Sequence, residues 1–233
     1  MSDRLYIICE GQSENAFVRE LLIPYCGERS GWKTSIIPYT VITSFRRQKG
    51  TVYKGGLTSF LKFKGDLEKC LAYGCPVTTM IDFYGLPNDF PEYEHAMTLS
   101  RDIDKVLSLE KSLAKEIELQ FTDLRSGFFI PYIQLHEFEA LFYSDLSRLK
   151  NYYLDREYDQ AIDRLNRVTM GMPPEDIDQG YETAPSKRLE SAIPYHKGES
   201  VVSPLKEIGI DIMRKKCPHF NEWVEKVLNV IAM

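Results

Sequence analysis

Apolar positions along this chain follow more than one period, and the changes of period mark its elements. Leu5 to Cys9 is a continuous apolar run that stops at Glu10-Gly11, as expected of a strand buried on both faces. After Ser13 the residues Phe17, Leu21, Leu22 and Tyr25 recur at helical spacing, so the opening reads strand, tight turn, helix. A second β-rich stretch covers Trp32 to Ile42, and a helix is predicted from Leu57 to Leu71. Pro76 to Asp82, with Val77, Thr78, Thr79, Met80 and Ile81, predicts another fully buried strand, closed by the turn signals Gly85-Leu86-Pro87. Between Ser100 and Phe121 the residues Ile103, Val106, Leu107, Leu113, Ile117 and Phe121 share one helical face. Phe128 to Leu135 is again strand-like and runs into His136-Glu137-Phe138-Glu139-Ala140-Leu141-Phe142.

Strands alternating with helices predict an α/β fold: a mostly parallel central sheet flanked by helices. Beyond Asp145 the pattern is helical, with stripes at Tyr158, Ile162, Leu165, Val168, then Leu205, Ile208, Ile212, then Phe220, Trp223, Val224, Val227, Leu228, Ile231. The predicted organisation is an α/β core over residues 1–145 and a helical C-terminal extension, 146–233, packed on it.

The 34 Asp and Glu against 29 Lys and Arg give a net charge of −5, which excludes a protein that coats a polyanion, since that mode needs a large cationic surplus. Any contact with nucleic acid must be local. Five scattered cysteines with no CxxC pair point away from a zinc site or disulfide framework. The Met-Ser-Asp-Arg start lacks a signal-peptide core, and no stretch approaches the roughly 20 apolar residues of a membrane span. A cytoplasmic protein is expected.

Ligands of open α/β sheets bind outside the carboxyl ends of the strands. Glu10 ends the first strand and Asp82 a later one, while Glu137 and Glu139 follow Phe128 to Leu135 within a few residues. Singly, each acid has a structural explanation, as a dipole partner or a turn residue. Together they would converge carboxylates that cannot stay ionised side by side without a cation. Oxygen-rich clusters suit Mg²⁺ or Mn²⁺ and metal-assisted phosphoryl transfer.

The segment Glu10-Gly11-Gln12-Ser13-Glu14 resembles the EGxTE-type opening of Toprim-like proteins related to overcoming-lysogenization-defect nucleases. More specifically, EGQSENAFVRELL (10 to 22), TTMIDFYGLPNDFP (78 to 91), FIPYIQLHEFEALFYSD (129 to 145), ETAPSKRL (182 to 189) and CPHFNEW (217 to 223) resemble, in order, a bacterial Toprim-like family labelled a domain of unknown function. The resemblance implies a Toprim-like fold in which a Glu after the first strand and a DxD pair after a later one hold divalent metal for phosphodiester cleavage. Glu10 matches that Glu and Asp82 the first Asp. Tyr84 stands where the second acid would be, and a phenol with a pKa of about 10 is a poor Mg²⁺ ligand. Either Glu137 or Glu139 restores the carboxylate, or metal binding is weak; the resemblance implies that HEFEAL is family-wide, which favours restoration.

Arg46, Arg47, Lys49 and Lys54, interleaved with Gly50, Gly55 and Gly56, have the composition of a phosphate-contacting loop or of a solvated one. Lys187 and Arg188 follow Pro185 in a predicted first helical turn, where a bound anion would relieve their opposition to the helix dipole; a surface ion pair with Glu182 is the structural alternative. His136 is a candidate general acid or base, or a structural histidine. The expected function is a Mg²⁺- or Mn²⁺-dependent nuclease acting on DNA or RNA. The alternative is a non-catalytic regulatory or nucleic-acid-binding subunit partnered with an ATPase in anti-phage defence, motivated by Tyr84 and the net charge. A phosphatase using Asp82 as nucleophile would want a second acid where Tyr84 stands.

Overall fold

A computed structural model of the protein describes residues 4–41, 57–122, 124, 125, 127–177, 180 and 183–232. The apolar runs form a parallel sheet. β1 (Arg4–Cys9) lies between β2 (Ser35–Thr40) and β3 (Val77–Asp82), and β3 pairs on its far side with two short strands, β4 (Phe129–Ile130) and β5 (Ile133–Gln134). Val77 pairs with Phe129 and Ile81 with Ile133 at the same offset, so β4 and β5 are one interrupted strand. The predicted run Phe128 to Leu135 breaks at Pro131, which has no N–H for a ladder. Thr79 bridges the gap: its hydroxyl accepts from the Tyr132 N–H at 2.7 Å and donates to the Tyr132 carbonyl at 2.8 Å.

Strand alternation sends Leu5, Ile7, Cys9 and Met80 to one face and Tyr6, Ile8, Val77 and Ile81 to the other. Each face buries its own apolar cluster. On the second face lie α3 (Phe60–Leu71) and α5 (Asp102–Gln120), with the short α4 (Tyr93–Met97) before α5. The first face is covered by the helix that follows β1, running as α1 (Gln12–Phe17), a π-helical turn Val18–Leu22 and α2 (Ile23–Ser30). Such π insertions are frequent near functional sites.

The same cluster takes in side chains of α6 (Arg156–Val168), α7 (Pro185–Ala192), α8 (Val202–Ile208), α9 (Ile210–Lys216) and α10 (Pro218–Ala232). The predicted stripe Leu205, Ile208, Ile212 is divided between α8 and α9 by Gly209 at φ +81°, a conformation that favours glycine. Val168 leaves its predicted stripe and faces solvent. α10 is pinned at its start by Glu175, which accepts from the Phe220 N–H at 2.9 Å and the His219 N–H at 3.1 Å, a carboxylate at the positive end of a helix. His219 in turn approaches Glu110 of α5 at 3.0 Å.

The five cysteines are free and buried, and among the described residues no helix is long and apolar enough to cross a membrane. Trp223 ties α10 to the sheet: its ring stacks on Tyr132 at 4.4 Å between centroids and its indole N–H donates to the Thr78 hydroxyl at 2.8 Å. Trp223→Ala should therefore lower the unfolding free energy by about 3–5 kcal/mol in urea denaturation.

Candidate active site

The strand order changes direction at β1, which is followed by β2 on one side and by β3 on the other. The crevice outside the carboxyl ends of β1 and β3 is thus a topological switch point, where open α/β sheets bind ligands. Glu10 follows β1 directly and Asp82 is the last residue of β3. The two strand ends are joined: the Glu10 N–H donates to the Met80 carbonyl at 3.2 Å, and the Asp82 N–H donates to the Glu10 side chain at Oε2, 2.9 Å away. The Leu57 N–H also donates to the Glu10 side chain. Gly85 lies against this carboxylate so closely that a Cβ there would overlap it. A residue legible as a turn signal is also a close-approach glycine.

The other acids arrive from two places, α1 and the turn that follows β5. Glu14, in the first turn of α1, reaches back to accept from the Gly11 N–H at 2.8 Å, as the third residue of a capping box does. After β5 the chain turns at His136, in the left-handed region at φ +62°, and enters a 3₁₀ helix, Phe138–Ser144, which buries Glu139. Glu139 Oε1 accepts a short hydrogen bond from the Tyr195 hydroxyl. Glu137 Oε2 accepts from the Ser186 N–H at 2.9 Å, in the first turn of α7. Lys197 Nζ stands 3.4 Å from both Glu137 Oε1 and Glu139 Oε1, on a segment fastened to α1 by the Gly198 N–H donating to the Ser13 hydroxyl at 2.9 Å. Two oxygens, Asp82 Oδ1 and Glu139 Oε2, are buried with no hydrogen-bond partner among the described residues.

Glu10, Glu14, Asp82 and Glu139 act on one another electrostatically, and each carboxyl is raised above its ordinary range. For Glu10 the cause is burial, against the lowering effect of the Asp82 and Leu57 amides. Glu14 is pushed up to about 7 by burial and then by the Glu10 charge. Asp82 is raised well above the usual value by burial, then by Glu14, Glu10 and Glu139. Burial raises Glu139 although Lys197 and Tyr195 oppose it. Burial also opposes the Lys197 charge, yet Glu139, Glu137 and Asp82 outweigh it and hold the ammonium above the normal lysine range. Burial, followed by the Glu139 charge, keeps Tyr195 a neutral phenol.

Of the acids legible in the sequence, Glu10, Asp82 and Glu139 meet at the strand ends, while Glu137 lies at the rim and shares Lys197 with Glu139. The expected phosphate position in the first turn of α7 has a different occupant, the Glu137 carboxylate, which satisfies the Ser186 amide and the helix dipole together. Lys187 pairs with Glu190 at 2.7 Å, and the Arg188 Nε–H donates to the Thr183 carbonyl at 2.7 Å. Arg46, Arg47, Lys49 and Lys54 lie outside the described residues, as does Glu182. His136 has both ring nitrogens engaged, Nε2 with the Glu175 carbonyl at 2.9 Å and Nδ1 with the Tyr84 hydroxyl at 3.1 Å. A carbonyl only accepts, so Nε2 carries a hydrogen, and in the neutral ring Nδ1 then accepts from the Tyr84 hydroxyl. That makes His136 a strut, and directs the Tyr84 hydroxyl to it.

All the acidic donors are hard carboxylate oxygens, and the two unpartnered buried ones are of the kind a divalent cation would satisfy. Among the described residues, however, no three His, Cys, Asp or Glu side chains are arranged to hold a metal ion. Glu14 was detectable in the sequence as the acid three residues after a helix start, whereas Tyr195 and Lys197 sit in a segment without periodicity and carried no comparable signal.

A family model described as "Domain of unknown function (DUF4276)" matches residues 9–228. No curated protein and no solved structure matches the chain.

Between pH 4.5 and about 7 the folded, metal-free chain keeps a proton on Glu14 that the unfolded chain has released. Its stability should therefore fall as pH rises through that window, and about 2 kcal/mol of the loss from Glu14 alone lies above pH 5.5, read as a lower Tm in EDTA at pH 8 than at pH 5.5. Asp82→Asn removes a buried acid from the same cluster and should raise the Tm at pH 8.

Proposed function

The chain belongs to the DUF4276 family, and we propose that it is a divalent-metal-dependent nuclease of Toprim type, hydrolysing phosphodiester bonds at the carboxyl edge of the sheet. The observation that carries this reading is the pair of buried, unpartnered oxygens on Asp82 and Glu139, at a switch point where four acids press on one another's ionisation. Glu10, Asp82 and Glu139 would hold Mg²⁺ or Mn²⁺, with Glu137 at the rim. The ion would supply Lewis-acid polarisation of the phosphate and a more acidic water.

The protein's own residues prepare the position. The Asp82 and Leu57 amides fix Glu10, Gly85 leaves it room, and Tyr195 fixes one oxygen of Glu139. Closing these acids into a ligand set requires side-chain movement from the arrangement described above. A nucleic-acid backbone is the proposed substrate. Lys187 and Arg188 lie in the first turns of α7, which also anchors Glu137, and Arg46 and Arg47 follow β2 in sequence, whose carboxyl end is at this same edge; these are the proposed phosphate contacts. A cytoplasmic setting belongs to the same proposal.

A second reading has its own support in Tyr84, which occupies the second DxD position and donates to His136 instead of adding a carboxylate. On that reading the chain is a non-catalytic, nucleic-acid-binding or regulatory subunit working with an ATPase in anti-phage defence.

Purified protein incubated with supercoiled DNA and with RNA in Mn²⁺ should cleave at least one of them. Glu10→Gln should reduce cleavage by at least about 100-fold, the upper end of what losing even an outer-shell partner costs. Equal activity in both samples would sink the nuclease assignment, and calorimetry without Mn²⁺ binding at millimolar ion would favour the second reading.

A further inference from the structure

We propose that Lys197 is the built-in cation of this site in its metal-free state, and that a divalent ion binds by displacing it, so that metal occupancy moves the Tyr195–Gly198 segment. The inference rests on the metal-binding reading above and adds the residue with which the ion must compete.

Lys197 is placed by its neighbours more than by its own bonds. Gly198 has φ +122°, a conformation other residues rarely adopt, and its N–H is held by Ser13 at 2.9 Å. Two residues before Lys197, Tyr195 is anchored on Glu139. The ammonium is thereby delivered between Glu137 and Glu139, but at 3.4 Å from each. Partly buried pairs elsewhere in the molecule are tighter, with Lys64 to Glu116 and Lys105 to Asp102 both at 2.7 Å. Lys197 is shared between two acids without a close bond to either, and its side chain is 53% exposed, so it has a way out.

Charge explains both its presence and its weakness as a permanent occupant. Those of the buried acids that ionise need a counter-charge, and a single ammonium supplies only one. It leaves Asp82 Oδ1 and Glu139 Oε2 buried with nothing to bond. A divalent ion carries twice the charge and takes six or more oxygens, so it can use the oxygens that Lys197 does not reach. Both cations draw on Glu139, so they exclude one another.

Site-resolved acylation of lysines in the wild-type chain, followed by mass spectrometry, provides the first readout. The Lys197 modification rate should rise several-fold when Mg²⁺ replaces EDTA, and an unchanged or slower rate overturns the proposal. Calorimetric titration with Mn²⁺ provides the second. Lys197→Met should bind about tenfold more tightly than wild type, the order expected for a close charge in a partly buried site, while Lys197→Arg should stay close to wild type. If wild type binds Mn²⁺ and Lys197→Met binds it no more tightly, the displacement proposal fails and the metal-binding reading stands. If neither binds, both fail. The acylation readout uses unaltered protein, so it decides the matter even where Lys197→Met folds poorly.

Discussion

The hydrogen bond from the Asp82 N–H to the Glu10 carboxylate joins the ends of β1 and β3 at the point where the sheet changes winding direction. Main-chain pairing already holds these strands in register from Tyr6 with Val77 to Cys9 with Met80. The side-chain bond extends that register one step past the ladder, and it does so with a charge. Everything else at this edge is arranged around it. Gly85 has no Cβ because the Glu10 carboxylate lies against it, and burial in the first turn of α1, followed by the Glu10 charge, raises the Glu14 carboxyl to about 7. A fold seeking only stability would not gather acids here, since each like charge brought into a buried cluster disfavours ionisation of the others. Concentrated destabilisation of this kind marks functional positions more often than structural ones.

The opposite side of the edge is built from the chain's second half. Glu139 and Glu137 lie where β5 gives way to a 3₁₀ helix, and the left-handed His136 makes that change of direction. His136 is held from two sides, by Tyr84 just beyond β3 and by the Glu175 carbonyl. Glu175 also caps α10, whose His219 contacts Glu110, and Glu110 accepts from the Ile133 N–H of β5 at 2.8 Å. A continuous polar network thus links α10, α5, β5 and the turn that carries Glu137. Its members are buried and bonded, which is the condition under which buried polar groups specify a single arrangement.

Much of this fold could be read from the sequence because its strands are apolar runs, two of them ending at acids, and its long helices are amphipathic. The sheet, α3, α5 and α10 come from those signals. The break between β4 and β5 was legible in Pro131, but its repair by the Thr79 hydroxyl was not, because a side chain replacing a ladder amide leaves no periodic trace. In the candidate site, Glu10 and Asp82 were readable from strand ends alone. Glu139 could be separated from Glu137 only by the 3₁₀ conformation, which buries one and leaves the other at the rim. Lys197 and Tyr195 were illegible because their approach depends on the tertiary bond from Gly198 to Ser13, across 185 residues of sequence.

The way the acids are fastened separates this cluster from an accidental one. Glu14, Glu137 and Glu139 each accept on one oxygen from a donor elsewhere, the Gly11 amide, the Ser186 amide and the Tyr195 hydroxyl, while Glu10 accepts from the Asp82 and Leu57 amides. Those donors fix where each carboxylate stands, while Lys197 makes only long contacts at two of them. A buried acid whose purpose was structural would have both oxygens satisfied, as Glu175 has in capping α10. Glu139 lies 1% exposed with Oε1 bonded and Oε2 bare, and Asp82 offers a bare buried oxygen beside it in the same electrostatic cluster. Anchoring one oxygen of Glu139 while leaving the other without a partner carries an energetic cost, and on the reading proposed above an incoming divalent cation removes it.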